Sequence, residues 1–326
     1  MQVLQPIREI YKGLDLPDLL IGLDAPDDAA VWRLGDGRAL VMTTDFFTPV
    51  VDDPYDYGAI SAANSLSDIY AMGGRPFAAL SVAALPPNLD IGISQRMMAG
   101  LAEKTLESGT VIVGGHTIDD KEPKIGLVVL GFAAEDQLIR KDGLVLGDKL
   151  VLTKPLGFGV TTTALKRQEA PPEDVQEVVD WMIQLNQGAA KLAMQFAVKA
   201  GTDVTGFSLL GHAWEMASSA GLGLKINYDQ IPFVSCAQKH AQAWRFPGGA
   251  FDNQTYYQSN VDFDPGIPEA KQLLLFDPQT SGGLLLGVPP KEVDAFMEAA
   301  KDQKQPAWLI GEVVQGNKIM VANTKG

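Results

Sequence analysis

Six short segments of this sequence set aspartate among apolar or small residues, and any fold of the chain must accommodate those carboxylates. Asp27-Asp28 runs straight into Ala29-Ala30-Val31, and Asp45 ends the run Leu40-Val41-Met42-Thr43-Thr44. Asp68 follows Asn64 by four residues and Ser61 by seven, so on a helix the three polar groups share one face. Asp119 comes after Gly114-Gly115-His116-Thr117, and Asp203 stands in Gly201-Thr202-Asp203-Val204-Thr205-Gly206. Asp277 opens Asp277-Pro278-Gln279-Thr280-Ser281-Gly282-Gly283. A carboxylate taken out of water without a partner costs several kcal/mol or more. Only the segment around Asp119 brings Lys or Arg close by in sequence. A hard divalent cation, magnesium in a cytoplasmic enzyme, is the common partner that serves several such groups at once. Taken singly, each aspartate reads first as a helix or turn cap, and that reading weakens only for the set as a whole.

The chain of 326 residues has length for roughly two domains of about 150 residues each. Short apolar runs at 29–34 and 39–45, separated by Gly35-Asp36-Gly37, predict two strands. Pro54 to Met72 predicts a helix that Gly73-Gly74 ends. A strand at 77–85, an amphipathic helix at 91–108 and strands at 111–114 and 124–133 follow. The polar, turn-rich stretch 141–147 divides the chain into expected domains 1–147 and 148–326. In the second, a long helical region spans 172–200, broken near 186–188, and another helix spans 207–220. Strands are expected at 150–153, 222–228, 283–288, 308–314 and 318–321. Both halves are mixed α/β, with strands and helices in layers.

Forty acidic against twenty-six basic residues give a net charge of −14. That balance excludes a broad nucleic-acid surface, which needs clustered Lys and Arg, and disfavours an anionic membrane. The longest nearly apolar stretch, 125–134, is too short to cross a bilayer. Cys236 is the only cysteine, which excludes disulfide scaffolds, zinc ribbons and iron–sulfur clusters. No basic-then-apolar leader is visible, so a cytoplasmic location is expected.

Gly114-Gly115-His116-Thr117 reads as a strand-end glycine pair whose backbone N–H groups can approach a phosphate, or equally as an ordinary tight turn. No Walker A or G-x-G-x-x-G loop exists in the sequence. A bound triphosphate would therefore be held by metal and aspartate rather than by a lysine cradle. Gly206-Phe207-Ser208-Leu209-Leu210-Gly211 has one residue too many for a nucleophile elbow. His212 reads as a satisfied core or surface histidine, Cys236 as a buried, inert thiol, and Glu173–Asp180 as a solvated helix face.

In order, these segments resemble the selenophosphate synthetase (selenide, water dikinase) family. They are Asp27-Asp28-Ala29-Ala30-Val31, Thr43-Thr44-Asp45-Phe46-Phe47 and the run from Asn64-Ser65-Leu66-Ser67-Asp68 to Gly73-Gly74. Then come Gly114 to Asp119, Thr202-Asp203-Val204-Thr205-Gly206-Phe207 with Leu210-Gly211-His212, and Asp277 to Gly283. The first and third also resemble thiamine-monophosphate kinase and aminoimidazole ribonucleotide synthetase, which share the superfamily fold. The segments around Asp45, Asp203 and Asp277 favour the selenophosphate branch. The resemblance implies a two-domain aminoimidazole ribonucleotide synthetase-like fold whose N-terminal domain forms a β-barrel across a homodimer. It implies Mg2+ held by Asp28, Asp68 and Asp203. It implies ATP lined by Ala25, Pro26, Asp27, Asp45, Asp68, Gly115, His116 and Thr117. The family reaction takes ATP, selenide (free or from a delivery protein) and water to selenophosphate, AMP and phosphate. The family's glycine-rich Cys and Lys segment is expected ahead of Met1, so no position here is assigned to it. The alternatives are another enzyme of the superfamily or an ATP-binding homologue without activity.

Overall fold

The structure, a computed structural model, describes residues 4–23 and 27–323, so Ala25 and Pro26 lie outside the described residues. The first half supplies strands β1 (Leu19–Ile21), β2 (Ala30–Arg33), β3 (Arg38–Phe47), β4 (Arg75–Leu85), β5 (Val111–Asp119) and β6 (Lys124–Ala134). It also supplies helices α1 (Gln5–Tyr11), α2 (Pro54–Ala71) and α3 (Ile91–Glu107). The strands form one sheet in the order β1-β2-β3-β6-β4-β5, antiparallel except for β4 and β5, which are joined through α3 and run parallel. Burial alternates along β6, with Ile125, Leu127, Val129 and Ala133 packed under the helices. The opposite face is left half-open, and Phe46, Phe77, Leu80, Val111 and Val113 on three strands are exposed.

Helix α2 is buried almost throughout. Asp53 caps it, accepting from the Tyr55 and Asp56 amides at 2.8 and 3.1 Å. It meets α3 backbone to backbone. A Cβ on Gly58 would lie 1.9 Å from the Met97 carbonyl, and one on Gly100 would lie 2.0 Å from that of Tyr55.

The second half folds around a seven-stranded sheet in the order β10-β13-β9-β12-β7-β11-β8. Its strands are β7 (Lys149–Leu152), β8 (Ala200–Asp203), β9 (Gly223–Asn227), β10 (Val261–Phe263), β11 (Leu284–Val288), β12 (Trp308–Val314) and β13 (Ile319–Ala322). Around it lie α4 (Phe158–Lys166), α5 (Pro172–Met182), α6 (Gln187–Gln195), α7 (Ser208–Ala220), α8 (Ala237–Gln242), α9 (Gly248–Tyr257), α10 (Glu269–Leu274) and α11 (Val293–Asp302).

Two expectations change. The strand expected at 111–114 runs on to Asp119, so the glycine pair is inside it rather than at its end. The helical region expected at 172–200 contains α5 and α6 and then gives way to β8, an edge strand of small residues paired with β11.

Candidate active site

Strand β3 turns Thr43 and Asp45 toward α2, where Asn64 and Asp68 stand one turn apart. The Thr43 hydroxyl donates to Asp68 Oδ2, and Asn64 Nδ2 donates to Asp45 Oδ2. The third polar group of that face, Ser61, donates to the Ile125 carbonyl of β6 at 2.7 Å. From the turn before β2 comes Asp28, its side chain only 4% exposed, and from the end of β8 comes Asp203. Thr202 Oγ1 ties the two halves together by donating to Asp28 Oδ1 at 2.8 Å.

Burial drives the electrostatics. Asp68 titrates well above the usual carboxylate range because it is desolvated and faces the charges of Asp203 and Asp28. Asp203 is pushed up to about 6 by burial and then by Asp28. Asp27 is raised to about 6 for the same two reasons, against hydrogen bonds from the Lys141 and Asp28 amides at 3.0 and 2.9 Å. Burial also raises Asp45, which the Asn64 amide opposes. Oδ2 of Asp28 and Oδ2 of Asp203 are buried with no hydrogen-bond partner. Mutually repelling carboxylates with unused oxygens are a donor set suited to a hard divalent cation such as Mg2+. Their oxygens are spread more widely than one tight ligand triad. Among the described residues, only Asp174, Cys236 and His240 place three candidate ligand atoms within 4.8 Å of one another.

One cation belongs to the chain itself. Lys141, in the stretch expected only as a domain boundary, reaches Asp28 Oδ1 at 3.0 Å and Glu215 Oε2 at 3.1 Å. Burial works against its charge, but these carboxylates outweigh it and hold the ammonium protonated. Asp28 has no Lys or Arg close by in sequence, and the fold brings it one from afar. The partner lies more than a hundred residues away and no local signal marks it.

The 277–283 loop joins the domains. Asp277 Oδ2 accepts the Val160 amide at 3.1 Å, while its Oδ1 is buried with no hydrogen-bond partner. Gln279 Oε1 accepts those of Gly157 and Phe158 at 3.1 and 3.0 Å, so the loop caps α4 from a distance. Lys154, 1% exposed, donates to the Gln184 and Ser281 carbonyls at 2.6 and 2.7 Å, and burial lowers it to about 7. Ser281, held at a left-handed φ of 52°, gives its amide to Asn64 Oδ1 at 2.8 Å. A continuous chain of bonds thus runs from Lys154 through Ser281 and Asn64 to Asp45. Beside it a cavity of about 400 Å3 opens between the domains, with Asp45, Phe47 and Asn64 on one wall and Thr205, Phe207 and His212 on the other.

The remaining candidates are placed as follows. Gly115, His116 and Thr117 lie on the exposed edge strand β5, three strand spacings or about 14 Å from β3. The structure does not bring them to the acidic cluster of their own chain. Gly115 is required by packing, since a Cβ there would lie 2.1 Å from Ser81 Oγ on β4. His212 is buried as expected, but it is not satisfied, because its Nδ1 has no hydrogen-bond partner. Cys236 is buried, and burial raises its thiol above the ordinary value. The Glu173–Asp180 face is not wholly solvated, because Asp174 is buried and its Oδ2 lies 3.1 Å from His240 Nε2.

The two-domain fold, with acidic residues from both domains meeting at the seam, is that of the AIR synthase related proteins. The N-terminal domain model of those proteins matches residues 26–133, and the C-terminal domain model matches 146–322. Within them, the chain belongs to the selenide, water dikinases, ATP-dependent phosphotransferases. It is 45% identical to the selenide, water dikinase of Pelobacter propionicus, over 93% of this chain and 88% of that one. It is 43% identical to that of Carboxydothermus hydrogenoformans, over 97% and 91%. In fold it is similar to the thiamine-monophosphate kinase of Stenotrophomonas maltophilia (TM-score 0.69, 19% identity, 98% of this chain and 96% of that one). It is also similar to a chain of the HypE–HypF complex (TM-score 0.76, 16% identity, 100% and 97%).

Proposed function

We propose that the chain makes selenophosphate, AMP and phosphate from ATP, selenide (free or handed over by a delivery protein) and water. The observation that carries this reading is the meeting of Asp28, Asp68 and Asp203 with two buried carboxylate oxygens unused. These three residues would hold Mg2+, which when bound neutralises polyphosphate charge and fixes the line of phosphoryl transfer. Thr43 and Thr202 orient Asp68 and Asp28, and Asn64 orients Asp45. Lys141 offsets part of the negative charge that the cluster carries before metal binds. Ala25, Pro26, Asp27, Asp45 and Asp68 would line the nucleotide.

Gly115, His116 and Thr117 would do so from a second copy of the chain. The open apolar face of the first sheet supports such a homodimer, its strands closing into a barrel with those of the partner. Residues 1–147 would form the nucleotide and dimerisation domain and 148–326 the second domain, and the enzyme would work in the cytoplasm. The test is the nucleotide product. AMP that accumulates only when selenide is added supports the reading. ADP alone, or phosphorylation of thiamine monophosphate, overturns it.

Metal binding should be coupled to pH. Asp203 carries its proton up to about 6 in the metal-free fold, against about 3.8 in the unfolded chain, and Asp68 keeps its own well above the usual carboxylate range. In that window the folded state binds more protons, so these groups lose stability for the fold as pH rises. A cation must displace those protons, so its stabilising effect runs the other way. The rise in Tm on adding excess Mg2+ should be small at pH 5 and several degrees at pH 7.5. A rise of the same size at both values would show that these carboxylates are not the ligands.

A further inference from the structure

Asp28 stands in the turn before β2, yet the groups that hold its side chain come from far along the chain. Its Oδ1 accepts from Thr202 Oγ1 of β8 at 2.8 Å and meets the Lys141 ammonium at 3.0 Å. Lys141 lies in the connector between β6 and β7, and it grips on two further sides. Its amide donates to Asp27 Oδ2 at 3.0 Å, and its Nζ reaches Glu215 Oε2 of α7 at 3.1 Å. The connector is itself bonded to β8. The Arg140 amide donates to the Lys199 carbonyl at 2.9 Å, and the Gly201 amide donates to the Arg140 carbonyl at 3.2 Å. Asp28 is therefore tied to the strand that presents Asp203.

This grip opposes a repulsion. After burial itself, the charge of Asp28 does most to raise Asp203. Two like charges in a buried region move apart unless something holds them. Charge compensation alone does not explain how Asp28 is held. Ammonium and hydroxyl both engage Oδ1, while Oδ2 is buried with no partner, as is Oδ2 of Asp203. One oxygen of Asp28 is spent on orientation and the other is kept open. Groups that hydrogen-bond a ligand carboxylate in this way set its direction toward a metal.

We infer that Lys141 is a positioning residue, which with Glu215 forms a clamp across the domain seam that holds Asp28 near Asp203 with Oδ2 left open for the metal. The inference rests on the metal assignment proposed above and adds what keeps two of the ligands together.

Two substitutions break the clamp with opposite changes of charge, Lys141→Met and Glu215→Gln. If the pair acted by charge alone, losing the lysine would tighten cation binding and losing the glutamate would weaken it. A clamp requires both to weaken it. Mn2+, which favours oxygen ligands as Mg2+ does, can be titrated into the nucleotide-free chain. Loss of the free-ion electron paramagnetic resonance signal measures its uptake, and displacement by Mg2+ marks the site. Each variant should raise the Kd for Mn2+ about tenfold, as removal of groups that orient metal ligands does. The double variant should stay within about twofold of the weaker single one, since both break one contact. Lys149→Met is the control. It breaks a 2.7 Å ion pair with Glu312 at the opposite end of β11 from Asp203, and should leave the Kd within about twofold of wild type. A Kd for Lys141→Met equal to or below that of wild type overturns the inference, as does a double variant restored to wild-type affinity. Should Lys141→Met fail to fold, Lys141→Gln is read by the same criterion. Wild-type protein that takes up no Mg2+-displaceable Mn2+ overturns the metal assignment and the inference with it. Wild-type uptake with unweakened variants overturns the inference alone.

Discussion

Asp68→Asn should lower magnesium-dependent turnover of ATP by at least about a hundredfold, a loss in line with removing a charged group that acts in the transition state. The substitution is nearly isosteric, and its amide oxygen can still accept the Thr43 hydroxyl. What it removes is a negative charge surrounded by Asp203, Asp28 and Asp45. Without metal that charge is a liability, so the Tm of the metal-free variant should equal or exceed that of the wild type. With excess Mg2+ the order should reverse. Asp180→Asn is the control, since Asp180 is exposed on α5, accepts from Gln176 Nε2 at 2.8 Å and is not among the charges that shift Asp68. Equal turnover in the two variants would remove Asp68 from the site, and a drop in metal-free Tm would assign it a structural role.

Gly100→Val should destabilise the fold by about 3 kcal/mol or more, the cost of forcing side-chain volume between packed backbones. The reason is geometric. The first atom of the new side chain would lie 2.0 Å from the Tyr55 carbonyl carbon's oxygen, and backbone cannot swing aside as a side chain can. Gly58→Val meets the same obstacle from α2, with the Met97 carbonyl at 1.9 Å. Because α2 carries Asn64 and Asp68, prying the helices apart should weaken nucleotide binding even in molecules that stay folded. Gly248→Ala, with open space around the added atom, should stay within about 0.5 kcal/mol of wild type. Urea unfolding measures all three, and a Gly100→Val midpoint equal to that of wild type would mean the helices pack otherwise.

Most regular elements were legible because their pattern is local. The apolar run of β6 and the proline start and glycine stop of α2 each lie within about twenty consecutive residues. The site was legible as a demand for compensation, since apolar context around Asp28, Asp68 and Asp203 requires a partner. How that demand is met was not. Lys141 looks like linker sequence, and its value lies in a fold that carries it to Asp28. Ala200–Asp203 has neither alternation nor bulky residues, so no strand is expected there, and only the pairing with β11 defines β8. The glycines of β5 looked like a turn, whereas Gly115 is small because Ser81 of the next strand leaves no room for a side chain. His212 and Asp174 were misjudged for a common reason. Each looks ordinary in its own helix, and only tertiary packing leaves one unpaired and buries the other.

The outward-facing β5 has a genetic consequence. If Gly115, His116 and Thr117 serve the nucleotide of a neighbouring copy, each site is assembled from two gene products. Two inactive variants, one damaged in the acidic cluster and the other in β5, would then restore one intact site in each mixed pair, so the two defects would complement each other.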